Sequence, residues 1–186
     1  MKLAGVAVLV ALGALGAEPG SRLPEFSVRT VDGTEISSEA LRGSKVTVVG
    51  FVSTKCPVSA AYNQRMLTLY REFSSRGVGF VFLNSNSNET AADIQAYVKQ
   101  ARLEFPLYRD PENRVADLFG AQSTPEMFVL DSDGALRYRG AIDDAQNEAR
   151  VKVRGLRLAI EAVLDGKPVE TERTRAFGCA LHRVRK

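Results

Sequence analysis

Two cysteines carry most of the chemistry this chain can do. Cys56 follows the apolar run Lys45 to Val52 and opens the segment Cys-Pro-Val-Ser-Ala-Ala-Tyr, while Cys179 lies near the C-terminus with the chain's single histidine, His182, three residues on. A cysteine at the end of a strand and the start of a helix meets the unpaired N–H groups and the positive end of that helix. Both favour the thiolate and make the sulfur a nucleophile, and the adjacent Lys55 adds to the effect. The alternative is a buried cysteine serving as a small apolar side chain, but a strand-to-helix junction usually opens to solvent. Two thiolates and an imidazole also form a set that can hold a soft ion such as Cu(I), so Cys56, Cys179 and His182 are candidate copper ligands. Otherwise His182 is a solvated residue of the basic end His-Arg-Val-Arg-Lys. A third feature is Thr124-Pro125, a proline just ahead of a strand, where a cis bond can occur.

The N-terminus bears on how the cysteines are read. Lys2, an unbroken apolar run from Leu3 to about Ala17, and Glu18-Pro19-Gly20 form the pattern of a secretory leader, with Ala14 and Gly16 suited to cleavage before Ala17. The run is shorter than the roughly 18 to 20 residues a spanning helix needs, so cleavage rather than stable membrane insertion is expected. The expected organisation is a leader over residues 1–16, one domain over 22–166 and a tail over 167–186. Export would place the protein in the periplasm or outside the cell, where disulfides persist, and Cys56 and Cys179 are the only pair available. The 25 basic residues, 24 once Lys2 is removed, nearly match the 22 acidic ones. Such a balance argues against nucleic acid as a partner. The sequence carries no signal of oligomeric state.

The elements that must position these residues follow from apolar spacing. Phe26 and Val28 ahead of Asp32-Gly33 predict a short hairpin at one end of the domain. Lys45–Val52 and Gly77–Asn84 are continuous runs of the kind buried on both faces of a sheet. Val58, Tyr62, Met66, Leu69 and Phe73 predict one helix from about Pro57 to Phe73, with Pro57 in its first turn. Thr90 and Asp93 signal the start of a second helix whose buried side is Ile94, Tyr97, Val98 and Ala101. A short extended piece and a short helix ending at Gly120 come next. Strands at 127–130 and 135–139 then flank Asp133-Gly134. A last helix from about Arg150 to Leu164 would bury Val153, Leu156, Ile160 and Val163 and stop before Gly166 and Pro168. This alternation is a single α/β layer structure.

Taken together, strand, Cys56-Pro57, helix, Thr124-Pro125 and the hairpin that follows resemble the thioredoxin fold of the redoxin and peroxiredoxin-like (AhpC/TSA) families. The likeness runs from roughly Pro24 to Leu164. The segments CPVSAAYNQRM, FVFLNSNSNE, TPEMFVLD, YRGAIDD and GCALHR are similar to a subgroup of exported bacterial redoxins with one cysteine at the helix N-terminus and another in a C-terminal Gly-Cys. The resemblance implies a central mixed sheet flanked by helices, with the N-terminal hairpin as an extension, and Cys56 as the attacking cysteine. It also implies a Thr124-cis-Pro125 loop beside Pro57 whose backbone edge an extended substrate could pair with. No cofactor is implied.

Departures from the family pattern sharpen the question. Thioredoxins carry a second cysteine where this chain has Ser59, so a mixed disulfide on Cys56 has no local resolving partner. Peroxiredoxins carry Pro-x-x-x-Thr-x-x-Cys, where Val49 and Ser53 stand here, and an arginine where this chain has Thr-Pro. Ser53 and Thr54 remain candidates to donate hydroxyl hydrogen bonds to the thiolate. Within the resemblance, Cys179 is the candidate resolving cysteine, in a tail long enough to return across the domain. Cys56 would then attack a substrate disulfide or a peroxide and Cys179 would displace the product, the partners being protein or small-molecule thiols and disulfides. Against this cycling role stands a permanent staple, worth on the order of 4 to 5 kcal/mol by chain entropy. Copper carriers of this fold take both cysteines from one Cys-x-x-x-Cys loop, where this chain has Ala60.

Overall fold

The computed structural model describes residues 16–185; the leader expected over 1–16 lies, but for Gly16, outside the described residues. Seven strands form one mixed sheet: β1 (Ser27–Arg29), β2 (Glu35–Ser37), β3 (Val46–Phe51), β4 (Val78–Asn84), β5 (Leu107–Arg109), β7 (Glu126–Asp131) and β8 (Leu136–Gly140), in the order β2-β1-β5-β4-β3-β7-β8. β3, β4 and β5 run parallel, whereas β7 lies antiparallel to β3 and β8 to β7. The helices are α1 (Ser38–Leu41), α2 (Pro57–Ala61), α3 (Asn63–Phe73), α4 (Ala91–Gln100), α5 (Arg114–Phe119) and α6 (Gly155–Leu164). Two short strands, β6 (Ser123–Thr124) and β9 (Cys179–Ala180), pair separately. This is the thioredoxin-like arrangement the sequence pointed to. The expected hairpin is β1–β2, and it lengthens the sheet by pairing with β5 through Arg29 and Arg109.

The two unbroken apolar strands split by alternation. Val46, Val48, Phe80 and Phe82 face one core with Met66, Phe73, Ile94, Leu156 and Ile160 from α3, α4 and α6. Val49, Phe51, Val81 and Leu83 face a second core with Val115 and Phe119 of α5. Side chains at a period of two, apolar at every position, are what a strand covered on both faces requires.

Two sequence expectations need correction. The helix foreseen over 57–73 is broken at Tyr62, whose N–H bonds back only three residues, to Ser59 O at 3.1 Å, before α3 restarts. The Tyr62 ring is buried, with the Arg65 guanidinium 4.1 Å from its centroid. The last helix begins at Gly155 rather than Arg150. The residues before it are held extended against Asp144, whose N–H bonds to Val153 O and whose carboxylate accepts from Lys152 N–H, so Val153 is exposed rather than buried. The tail is laid along the domain, as a return of Cys179 to Cys56 requires. Arg139 and Glu172 or Thr174 exchange backbone hydrogen bonds, and the Thr174 hydroxyl meets Tyr138 Oη at 2.7 Å and Ala141 N–H at 2.9 Å. Gly140 lies at φ 152° and a side chain on it would run into Thr174, so glycine there is what lets the tail dock.

Candidate active site

Cys56 ends the loop leaving β3 and caps α2, with Pro57 in the first turn where its missing donor costs nothing. The Ser59 N–H donates to Cys56 Sγ at 3.4 Å. Because α2 is only five residues long before the break at Tyr62, this one directed N–H, not a long helix, is the local group that favours a thiolate here. Ser59 therefore has its own task at the position where thioredoxins place a second cysteine. It is 1 % exposed, and its hydroxyl accepts from Ser53 N–H at 3.2 Å, tying the loop to the helix.

Cys56 and Cys179 are joined in a disulfide across 123 positions, with Cα atoms 6.0 Å apart. Thr124-Pro125 is the cis bond among the described residues, and Cys56 Sγ rests 3.3 Å from Thr124 O. In the disulfide that sulfur has no proton to give; in the reduced thiol it can donate to the same carbonyl. The backbone edge expected to lie open beside the sulfur is occupied. Thr124 pairs with Cys179 and Ser123 with Ala180 in antiparallel register. The two residues also differ in exposure: Cys56 is buried at 2 % and Cys179 is half-buried.

The hydroxyls foreseen as thiolate donors point elsewhere. Ser53 Oγ donates to Glu89 Oε1 at 2.5 Å, and Glu89 Oε2 accepts from Thr54 N–H at 2.7 Å, from the Thr54 hydroxyl, and from Asn84 Nδ2 at 2.7 Å. A buried carboxylate is the stronger acceptor and takes these donors in preference to sulfur. Glu89, in the polar segment 84–90, was missed: its residue type suits a solvated loop, and only the fold brings it to Ser53. Lys55 is likewise taken up, by Asn88 O at 2.6 Å and Asp93 at 3.4 Å.

Beyond Cys179 the tail stays fastened. Leu181 is buried in the second core, and its N–H reaches Gln122 O at 3.0 Å. The backbone N–H of His182 donates to Asn86 Oδ1 at 2.9 Å, and Arg183 pairs with Asp117. Among the described residues, no group of three or more His, Cys, Asp or Glu is placed to hold a metal ion, so the copper set of Cys56, Cys179 and His182 is not assembled. No helix among the described residues is long and apolar enough to cross a membrane.

The sequence pattern of the AhpC/TSA family matches residues 19–139, which include Cys56 and Thr124-Pro125. The chain belongs to the AhpC/TSA family. It is 27 % identical over 115 residues to the thiol-disulfide oxidoreductase ResA of Bacillus thuringiensis (strain Al Hakam), covering 62 % of this chain and 65 % of ResA. It is 28 % identical over 126 residues to the chloroplastic peroxiredoxin Q of Oryza sativa subsp. japonica, covering 64 % of this chain and 57 % of that protein. The chain thus spans less than two thirds of the length of these curated relatives. A hypothetical protein from Sinorhizobium meliloti 1021 of solved structure superposes with a TM-score of 0.83 at 28 % identity, covering 92 % of this chain and 98 % of that one. The family match stops at 139, so Cys179 lies on a segment outside it.

Proposed function

We propose that this AhpC/TSA-family protein is an exported thiol-disulfide oxidoreductase, acting in the periplasm or outside the cell after cleavage before Ala17, with Cys56 as nucleophile and Cys179 as resolving cysteine. The observation that carries the reading is the Cys56–Cys179 bond at a helix start beside the Thr124-cis-Pro125 loop. Similarity to ResA supports exchange as the reaction. A Cys56 thiolate attacks a substrate disulfide and forms a mixed disulfide; Cys179 then attacks Cys56 Sγ, releases the substrate thiolate and leaves the intramolecular bond. Thiols and disulfides are the partners, and no cofactor takes part. Loss of insulin or glutathione disulfide reduction in Cys56→Ser supports the assignment, and an unchanged rate refutes it.

The similarity to peroxiredoxin Q favours a second reading, a thiol peroxidase in which Cys56 is oxidised by a peroxide to a sulfenate and then condensed with Cys179. It requires hydrogen peroxide to oxidise Cys56 far faster than it oxidises a free thiol. Ordinary thiol rates would discard it.

A further inference from the structure

The groove that receives Cys179 is made of domain residues, and it holds the tail chiefly by its backbone. Cys179 and Ala180 are in strand register with Thr124 and Ser123. The Leu181 N–H donates to Gln122 O at 3.0 Å, the His182 N–H donates to Asn86 Oδ1 at 2.9 Å, and the His182 carbonyl accepts from Ser87 N–H at 2.9 Å. Bonds to main chain are indifferent to which chain supplies it. The groove can therefore take any extended segment in the same register once β9 leaves.

Its walls are less permissive. One residue before the cysteine, Gly178 lies against Thr124, and a side chain there would strike the Thr124 carbonyl. One residue after, Ala180 is exposed and unconstrained. Two residues after, Leu181 is 8 % exposed and enters the core of Phe51, Phe119, Ala121 and Phe128. Asn86 is 5 % exposed, and its amide Nδ2 finds no partner among the described residues, so the groove keeps a buried donor that the tail does not use.

We propose that the tail is a tethered copy of the substrate: the protein acts on extended polypeptide segments with glycine immediately before the reacting cysteine and an aliphatic residue two positions after it. This rests on the reading of Cys56 as the exchange nucleophile. The Cys56 thiolate attacks the segment's cysteine sulfur, the S–S bond of the substrate breaks, and its other sulfur leaves as a thiolate. The Cys179 thiolate then attacks Cys56 Sγ, the segment leaves as a thiolate, and β9 refills the groove. The chain gives up two electrons as its two thiolates become one disulfide. The substrate disulfide becomes two thiols, and an external dithiol resets the pair. Resolution and product ejection are thereby one event, because tail and product compete for the same backbone edge.

The test uses the full chain carrying Cys179→Ser and a synthetic peptide of residues 175–183, Arg-Ala-Phe-Gly-Cys-Ala-Leu-His-Arg, with thionitrobenzoate on its cysteine. Release of the coloured thiolate, and the peptide adduct by mass, report attack by Cys56. Peptides carrying Gly178→Ala or Leu181→Asp are expected to react about tenfold or more slowly, from the clash and the lost apolar burial. Adding Leu181→Asp to the protein's own tail is expected to speed the unmodified peptide by vacating the groove. Equal rates for all three peptides, with rapid attack on the small reagent dithiobis(nitrobenzoate), would overturn the substrate assignment while leaving Cys56 as nucleophile. Failure to react with the small reagent as well would overturn both.

Discussion

Thr124 contacts both sulfurs' residues at once: its backbone pairs with Cys179 in antiparallel register, and its carbonyl oxygen lies 3.3 Å from Cys56 Sγ. The bond between the cysteines thus joins the helix cap at Cys56 to the short β6–β9 sheet, with the tail fixed on either side by Thr174 and His182. Docking of the tail on both sides of Cys179 favours closure of the intramolecular bond as the substrate leaves.

Unequal access sets the direction of reduction. Cys179 is half-buried and Cys56 is 2 % exposed, and the Ser59 N–H stabilises Cys56 as the leaving thiolate. A brief pulse of glutathione followed by acid quenching and peptide mapping should find the mixed disulfide on Cys179, at least about tenfold over Cys56, since the more exposed residue is attacked and the more stable thiolate leaves. Glutathione chiefly on Cys56 would reverse this assignment.

Glu89 is expected to be a positioning residue. It accepts from Ser53, Thr54 and Asn84 and so pins the loop that ends at Cys56. Glu89→Gln removes the charge and turns an amide N–H₂ toward existing donors, at a cost of about 1.5–3 kcal/mol in stability. Disulfide exchange measured well below the melting temperature should fall roughly tenfold or more, because the loop loses its setting. The same variant should shift the midpoint potential of the cysteine pair. A purely structural role would lower the melting temperature and leave rate and potential unchanged.

Tyr138 gives the tail a dependence on alkaline pH. Its phenol is fully buried against Ala141 O and the Thr174 hydroxyl, and burial pushes it up to about 12 from the usual 10.0. The unfolded chain loses this proton first as pH rises, so the folded state is favoured in full below 10 and loses the advantage between 10 and 12. A shift of this size corresponds to about 2–3 kcal/mol. Tyr138→Phe should flatten denaturant midpoints over that range, measured in Cys56→Ser to keep disulfide chemistry out. An identical slope in both proteins would refute the role.

Much of this architecture was legible because its signals are local. The Thr90–Asp93 capping box, the glycine stop at Gly120 and the Asp133-Gly134 turn each lie within a few residues of the element they end or begin. The two central strands were plain from unbroken β-branched runs. What stayed hidden depends on distant pairs. Ser53 meets Glu89 across 36 positions and Thr124 meets Cys179 across 55, and neither Glu89 nor the tail differs in composition from a solvated segment. Tyr62 illustrates a further limit: its apolar spacing fits a continuous helix, and a periodicity argument does not register a break that keeps the same face buried.

The midpoint potential of the mature protein tests the central claim most directly. Equilibration in graded thiol-disulfide buffers, with alkylated cysteines counted by mass, reads it without knowledge of the substrate. A pair that cycles is expected between about −120 and −270 mV, the range of dedicated exchange proteins. A value below about −300 mV would contradict the account and make the Cys56–Cys179 bond a staple.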